Sequence, residues 1–561
     1  MADSNLAKRI LVTYPEITID DTRSNDTVII FLLMEKRFAL ICPDEQNPSS
    51  AVMIFVIDDN FDYPHIMLKE IDFKGTDILP KGKYRYVCLH QSGSVISFLQ
   101  SFDEKICDEI ERLIELMQLS PKEIEREYQK EFLYYWSSVS INDNGHLFVR
   151  TTKEYSRLAV YQGEKIRRYL SADIVLSDID EKKNKNKARV WQRRNDIEAF
   201  LIPIIDNRGI LPPTRTREWQ ASDIIEIVYG KRIRHISDAT FEAMKNEVIH
   251  YNCVELIFSM DVNNLPIVFM VRLTMSNRAG SNTLLARILD KDFKVQVINI
   301  QRQDYCYLNE TIGNASSGYD KKILLIGAGS LGGYVASELV KNGFRHLTIY
   351  DEDYLTPENF MRWAFGGMLK HSNKAAALKF YLEWMHPEIV IEAHEENFGA
   401  DAITDEIDDF DYIIFTVGSS DVQLKLNRIL KEKNVKPQIL FTWLEAGGEY
   451  SHILSLDYHQ HGCFECLFTD TNGNLINNKA NTVAEDIVTR NTISNGCGAT
   501  RVAYGSAVLL RTVSVLLTLI EKLESGGIRK NCLVNITSNE VSYEFDTFEE
   551  KRCGCCGDKT Q

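Results

Sequence analysis

Apolar and polar positions divide the chain into three stretches of different texture. In the first, about residues 1–140, the runs TVIIFLL and AVMIFVI are short, rich in β-branched residues and bounded by polar ones, which predicts strands. Near 103–119 the period changes. Ile106, Ile110, Leu113, Ile114 and Met117 recur at helical spacing, so an amphipathic helix is expected there. A polar break, SINDNGH, closes this stretch. The second, about 146–305, mixes strand-like runs (ELIFSM, PIVFMVRL) with a basic patch, EKKNKNKAR, read as a solvated loop; no chemical motif stands out in it. A polar segment, LNETIGNASSGYDKK, leads into the third, 306–561. There the order is strand KKILLIGAG, helix YVASELVKNG, strand HLTIYDED, more helix, then strand DYIIFTVG. Strand, glycine turn, helix and strand predict parallel βαβ units in a doubly wound sheet. The expected class is α/β, with a Rossmann-like domain over 306–561, a mixed α/β middle domain over 146–305 and an α+β domain over 1–140.

Composition adds exclusions. With 44% hydrophobic and 26% charged residues, 30 Gly and 13 Pro, the chain is ordinary globular protein, and 561 residues allow three or four domains of about 150. No run approaches about 18 apolar residues, so a membrane span is not expected. The opening MADSNLAKRI lacks the apolar core of a secretory signal, which predicts a cytoplasmic protein. A net charge of −16 disfavours nucleic acid as the main partner. Twelve cysteines in such a compartment suggest metal binding or thiol chemistry rather than disulfides. Cys42, Cys88, Cys107, Cys253 and Cys306 are scattered, while seven fall after residue 460.

Candidate chemistry starts at Gly327-Ala328-Gly329-Ser330-Leu331-Gly332, which follows the strand ILLI and opens a helix. Glycines let the backbone turn sharply and approach phosphates, and the helix N-terminus supplies N–H donors. Asp351 ends the next strand, 24 residues on, where a carboxylate can accept ribose hydroxyls. Alone, this pattern suits a dinucleotide cofactor, and so an oxidoreductase, equally well. After the second strand come Asp351-Glu352-Asp353, Asn359-Phe360-Met361-Arg362, then Lys374. This resembles the adenylating enzymes that activate ubiquitin and sulfur-carrier proteins, of the ThiF and MoeB type. The resemblance implies that a polypeptide C-terminus attacks the α-phosphate of ATP. Asp351 would hold the ribose, while Asn359, Arg362 and Lys374 contact phosphates. It also implies a Mg2+-binding aspartate after the strand YIIFTVG; here Gly418-Ser419-Ser420 follows and Asp421 comes late. Arg302, 25 residues before Gly327, corresponds to an arginine that reaches the partner subunit's ATP in a homodimer.

Cys463-Phe464-Glu465-Cys466 and Cys553-Gly554-Cys555-Cys556 offer two C-x-x-C pairs, 87 residues apart. Four thiolates complete a closed tetrahedral Zn2+ site, which is structural and not catalytic. A redox C-x-x-C is the alternative, and Cys555 could replace Cys553 or Cys556 with worse spacing. Cys497 stands apart in Asn495-Gly496-Cys497-Gly498, before a long apolar helix, AYGSAVLLRTVSVLLTLI. The helix N-terminus and Arg501 favour its thiolate; a buried structural cysteine is the other reading. In the ubiquitin-activating branch, a cysteine on the loop crossing the adenylate site takes the acyl group as a thioester, and Cys497 is the match.

In the first stretch, FDYPHIM, then Tyr86-Val87-Cys88-Leu89-His90 and the helix at 103–119 resemble a ubiquitin-conjugating domain, with Cys88 as its thiol. The usual His-Pro-Asn triplet is absent; Lys83-Tyr84-Arg85-Tyr86 stands there, with His90 a substitute for its role. Cys107, Cys42 and Cys253 are expected in the core. A conjugating-like domain, a middle domain and an adenylating domain in one chain resemble the activating–conjugating fusion enzymes of bacterial CBASS anti-phage operons. That resemblance implies a relay from acyl-adenylate to Cys497, to Cys88 and to a target amine. The cargo would be the C-terminus of a cGAS-like nucleotidyltransferase. A sulfur-carrier adenylyltransferase of the MoeB/ThiF type is the alternative.

Overall fold

The computed structural model describes the chain apart from residues 1–3, 26, 43–51, 59–60, 72–81, 90–99, 152–153, 164, 173–191, 215, 264, 276–281, 312, 314–319, 368, 387, 495–499 and 558–561. The patch EKKNKNKAR, His90 and Cys497 lie outside the described residues. Two compact units emerge, one of 1–147 with 151–302 and one of 148–150 with 303–561. The block 1–140 and all of 146–305 except 148–150 and 303–305 share the first.

That unit opens with α1 (Ser4–Leu11) and an antiparallel sheet of β1 (Ile17–Ile19), β2 (Val28–Leu33), β3 (Lys36–Ile41), β4 (Met53–Val56), β5 (Ile66–Ile71) and β6 (Gly82–Val87), in the order β1-β2-β3-β4-β6-β5. The amphipathic helix appears as α2 (Phe102–Met117), started by a capping box between Ser101 and Glu104. Ile106, Ile110 and Leu113 pack with Ala7 and Leu11 of α1 on one sheet face, over Phe31, Phe38 and Leu40. Ile30, Ala39 and Phe55 are buried on the opposite face, which explains why β2 is continuously apolar instead of alternating. Cys42 is buried, as expected, whereas Cys107 and Cys253 are half-buried. Helices α3 (Pro121–Lys130) and α4 (Phe132–Val139) follow.

The sequence SINDNGH is not a break. Residues 141–147 form β7 (Ile141–Leu147), which pairs in parallel with both its neighbours. The rest of this sheet is β8 (Ser156–Gln162), β9 (Ile166–Ser171), β10 (Gln192–Arg193), β11 (Ile197–Pro203), β12 (Cys253–Val262), β13 (Leu265–Met275) and β14 (Phe293–Arg302). The order is β10-β8-β11-β12-β13-β14-β7-β9, and the further pairing of β8 with β9 closes seven strands into a ring. A polar strand suits such a ring, because Gly145 lies where a Cβ would come 2.7 Å from the Tyr169 ring. Glu255, fully buried, accepts from Arg167 Nη1 at 2.7 Å, Arg272 Nε at 2.9 Å and the Tyr169 hydroxyl at 2.8 Å. The helices α5 (Ala221–Tyr229), α6 (Asp238–Asn246) and α7 (Leu284–Leu289) line the other face with Trp136 of α4, against Phe258 and Phe269.

The second unit begins with α8 (Tyr305–Thr311) and carries the expected doubly wound sheet. Its elements are β15 (Lys322–Ile326), α9 (Ser330–Lys341), β16 (His346–Tyr350), α10 (Lys374–Met385), β17 (Val390–His394), β18 (Tyr412–Phe415), α11 (Ser420–Lys433), β19 (Gln438–Leu444) and β20 (Ser451–Leu456), then α12 (Glu485–Asn491), β21 (Thr492–Ser494), β22 (Thr500–Val502), α13 (Ser506–Glu524), β23 (Cys532–Ile536) and β24 (Val541–Phe545). The order is β17-β16-β15-β18-β19-β20-β23-β24, parallel through β19 and antiparallel beyond it. Chain direction across the sheet reverses between β15 and β18, and the crevice at that switch point is where doubly wound sheets bind ligands. Helices α9, α10 and α13 cover one face, α11 the other. Among the described residues, no helix is long and apolar enough to cross a membrane.

Candidate nucleotide site, zinc site and thiols

The glycine turn sits at the switch point. Gly327 has φ +98°, a left-handed conformation that glycine adopts without strain, and its N–H donates to the Tyr350 carbonyl at 2.9 Å. At Gly332 a Cβ would come 1.9 Å from the Gly327 carbonyl oxygen, so only glycine lets α9 pack this close to β15. At Gly329 a Cβ would meet nothing within 4 Å. That half-buried stretch of backbone at the start of α9, with open space beside Gly329, is one a phosphate can approach.

Asp351 is tied to this turn. Its carboxylate accepts from the Ala328 N–H at 2.6 Å and the Asp353 N–H at 2.8 Å. Burial outweighs those bonds and the nearby Lys374 charge, and holds its pKa above the ordinary aspartate value. Each carboxylate oxygen keeps a second lone pair able to accept a further hydrogen bond. Asn373 donates to the Asp351 carbonyl at 2.7 Å and caps α10, which sets Lys374 at the first position of that helix. Lys374 is 8% exposed, and its ammonium lies 2.6 Å from the Asp353 carboxylate.

Asn359 accepts from Thr356 N–H at 3.1 Å and so starts the turn that presents Arg362. The Arg362 guanidinium lies 5.6 Å over the Tyr504 ring, and Nη1 makes one long contact, 3.5 Å, to the Val502 carbonyl. Its Nε is buried without a hydrogen-bond partner among the described residues. A buried, unmatched guanidinium N–H is costly, and an anionic oxygen is the partner that relieves it. Asp421 is exposed in the first turn of α11. Ile326 and Phe415 are register partners and Thr416 Oγ1 donates to the Gly327 carbonyl at 2.8 Å, so α11 opens beside the glycine turn. Arg302 ends β14 in the first unit, its Nη1 donating to the Pro266 carbonyl at 2.9 Å.

Nothing local in the sequence marks Trp363 or Tyr504. Yet the Trp363 indole donates to the Ala328 carbonyl at 3.0 Å, and Tyr504 holds Arg362 from 142 positions along the chain.

The four predicted zinc ligands do converge. Cys463, Cys466, Cys553 and Cys556 place their sulfurs within 4.8 Å of one another. The closest approaches are 3.3 Å (Cys466–Cys556), 3.7 Å (Cys463–Cys553) and 4.0 Å (Cys463–Cys466). Zn–S bonds of about 2.3 Å at tetrahedral angles put sulfurs roughly 3.8 Å apart, so the set fits that ion. Cys555 is outside the set and accepts from Asn427 at 3.6 Å. Cys466→Ser should therefore abolish zinc binding, read as metal content. Loss of even about 3 kcal/mol would lower Tm by roughly 6–12 °C in a domain of this size.

Cys88 follows β6 and is half-buried, its N–H donating to the His65 carbonyl at 2.7 Å. The segment Lys83–Tyr86 lies within β6. Burial, then the charges of Glu109 and Cys88, pushes Tyr86 up to about 12; burial pushes the Glu109 carboxyl to about 7. Nothing in the sequence singled out Glu109.

Residues 319–555 match the ThiF family. The second unit is a ThiF domain. Its glycine turn, strand-end aspartate and Arg362 all lie within the matched residues. Among similar proteins, the ATP-dependent ubiquitin transferase-like protein Cap2 of Escherichia coli strain TW11681 is 22% identical over 441 residues, 71% of this chain and 72% of that protein. The Cap2 protein of Vibrio cholerae is 27% identical over 241 residues, 41% of this chain and 36% of its own length. Ubiquitin-like modifier-activating enzyme 5 of Drosophila grimshawi is 22% identical over 215 residues, 34% and 50% of the two chains. The first of these alignments extends well beyond the ThiF domain.

Proposed function

We propose that this chain carries a protein from its C-terminus to a target amine through two thiols. A C-terminal carboxylate oxygen attacks the α-phosphorus of ATP and displaces diphosphate. The Cys497 thiolate attacks the resulting acyl-adenylate and AMP leaves. The Cys88 thiolate then displaces Cys497, and an amine on the target, losing its proton, displaces Cys88. By the family resemblance the cargo is the C-terminus of a cGAS-like nucleotidyltransferase and the enzyme is a homodimer, with Arg302 reaching the partner's nucleotide.

The observation that carries this reading is Arg362, a half-buried cation next to the glycine turn, whose buried Nε has no partner among the described residues and whose Nη1 reaches β22. β21 and β22 are antiparallel partners, and Cys497 lies in the stretch between them. One side chain thus belongs both to the anion site and to the strand that follows the thiol. Both reactants of the first step are anions, so its catalysis is mainly positioning and charge neutralisation. Lys374, Asn359 and the α9 N-terminus add to that. Mg2+ arriving with ATP would spread phosphate charge, and a single carboxylate such as Asp421 with phosphate oxygens is a donor set it accepts. The zinc site ties the tail at 553–556 to the turn at 463–466.

Intact-mass measurement with ATP and the candidate nucleotidyltransferase separates this relay from an adenylyltransferase that stops earlier. Cys497→Ala should still exchange diphosphate but form no thiol-labile adduct; Cys88→Ala should load Cys497 and ligate nothing. Normal ligation by Cys88→Ala would remove the second thiol from the scheme.

A further inference from the structure

We propose that the His65 side chain, clasped between Glu127 and Glu131, is a positioning device that fixes the backbone of Cys88 for acyl transfer. The inference rests on the reading of Cys88 as an acyl-accepting thiol.

The geometry is specific. Ile66 and Val87 are the last register partners of β5 and β6, and the ladder continues one step, with the Cys88 N–H donating to the His65 carbonyl at 2.7 Å. His65 has φ +66°, a left-handed conformation uncommon for a residue with a side chain and favoured here by the contacts that hold it. Those surroundings are two carboxylates one helical turn apart. Glu131 takes the His65 N–H at 3.2 Å and its Nδ1 at 2.9 Å, while Glu127 meets Nε2 at 3.2 Å. All three side chains are 20–24% exposed, so water competes weakly. The imidazole is thus gripped at both nitrogens and the backbone beside it is gripped too, which leaves the residue opposite Cys88 little freedom.

Both ring nitrogens face acceptors, an arrangement that wants the doubly protonated ring. Burial alone would lower the His65 pKa. The hydrogen bonds and charges of Glu131 and Glu127 outweigh it and raise the value above the ordinary one. Other titratable groups in this neighbourhood are Lys130, paired with Glu127 at 2.5 Å, the phenols of Tyr134 and Tyr135, and Cys88 itself. Asp62 and Tyr128 lie further along the same elements. A raised histidine pKa means the clasp is complete below the ordinary value and is lost as pH rises through the raised one. Cys88 needs the opposite, because rising pH makes its thiolate. Transfer to Cys88 should therefore rise and then fall with pH.

The test follows single-turnover acyl transfer from Cys497 to Cys88 between pH 6 and 9 on the full chain, with ATP–diphosphate exchange measured in parallel. In Glu131→Gln and Glu127→Gln the falling limb should move to lower pH. Each unit of movement makes transfer at high pH about tenfold slower than wild type, with exchange within about threefold. His65→Gly accommodates the +66° backbone without the clasp, so it should fold yet transfer at least about tenfold more slowly, the size of a small positioning loss. A falling limb that stays in place in both glutamine variants, or a His65→Gly protein that transfers at the wild-type rate, would overturn the inference. Equal losses of exchange and transfer would do the same, by showing a global effect. Wild-type protein that never acylates Cys88 would instead refute the relay on which the inference rests.

Discussion

Replacing Arg362 with alanine should reduce ATP–diphosphate exchange by about 10²–10³-fold, the loss typical of removing one preorganised donor to developing charge. The expectation comes from what the guanidinium lacks. It is partly buried, stacked over Tyr504 and in long contact with Val502, yet its Nε has no hydrogen-bond partner among the described residues. A group held this firmly with an unmet donor is arranged for a ligand and not for the fold. Unfolding should hardly respond, because the alanine removes an unsatisfied N–H along with the charge. Arg362→Lys should recover little, since an ammonium cannot reproduce the planar fork or the stacking. If Arg362→Ala retained exchange within threefold, the phosphate-contact role would be wrong.

The second large effect separates two glycines of one turn. Gly332→Ala forces a Cβ to 1.9 Å from the Gly327 carbonyl oxygen and 2.7 Å from Thr416 Oγ1. The nearest obstacle is backbone, so β15 and α9 must part; overpacking of this kind costs about 1–3 kcal/mol or more. The variant should melt several degrees lower and bind ATP poorly. Gly329→Ala has open space at its Cβ and a negative φ, so the fold should keep its Tm. The added methyl stands instead where phosphate would approach, and KM for ATP should rise about tenfold or more, comparable with loss of one charge-assisted contact. Differential scanning calorimetry and exchange kinetics on the pair check both statements. A Gly329→Ala protein with unchanged KM would move the nucleotide away from this turn.

The C-terminal half was readable because its signals are local. ILLI, LTIY and YIIFTV are short apolar runs closed by glycine or aspartate, and the 24-residue step from Gly327 to Asp351 spans the turn, helix and second strand of one βαβ unit. The convergence of Cys463, Cys466, Cys553 and Cys556 was readable for the same reason: each C-x-x-C spacing brings its two sulfurs together within one turn. The middle of the chain hid its structure. SINDNGH looks like a loop because strand β7 lies between parallel partners far along the chain, β9 and β14, where Gly145 gives room to Tyr169. Long-range side-chain pairs were invisible too. The contacts of Tyr504 with Arg362, Trp363 with Ala328 and Glu131 with His65 depend on how distant elements pack, which no spacing rule encodes.

Labelled diphosphate exchange into ATP is the most direct test of the adenylating chemistry. With purified enzyme, Mg2+ and a nucleotidyltransferase bearing its native C-terminus, label should enter ATP, and amidating that terminal carboxylate should stop it. Exchange that is absent with every candidate protein, or indifferent to the carboxylate, would contradict the account.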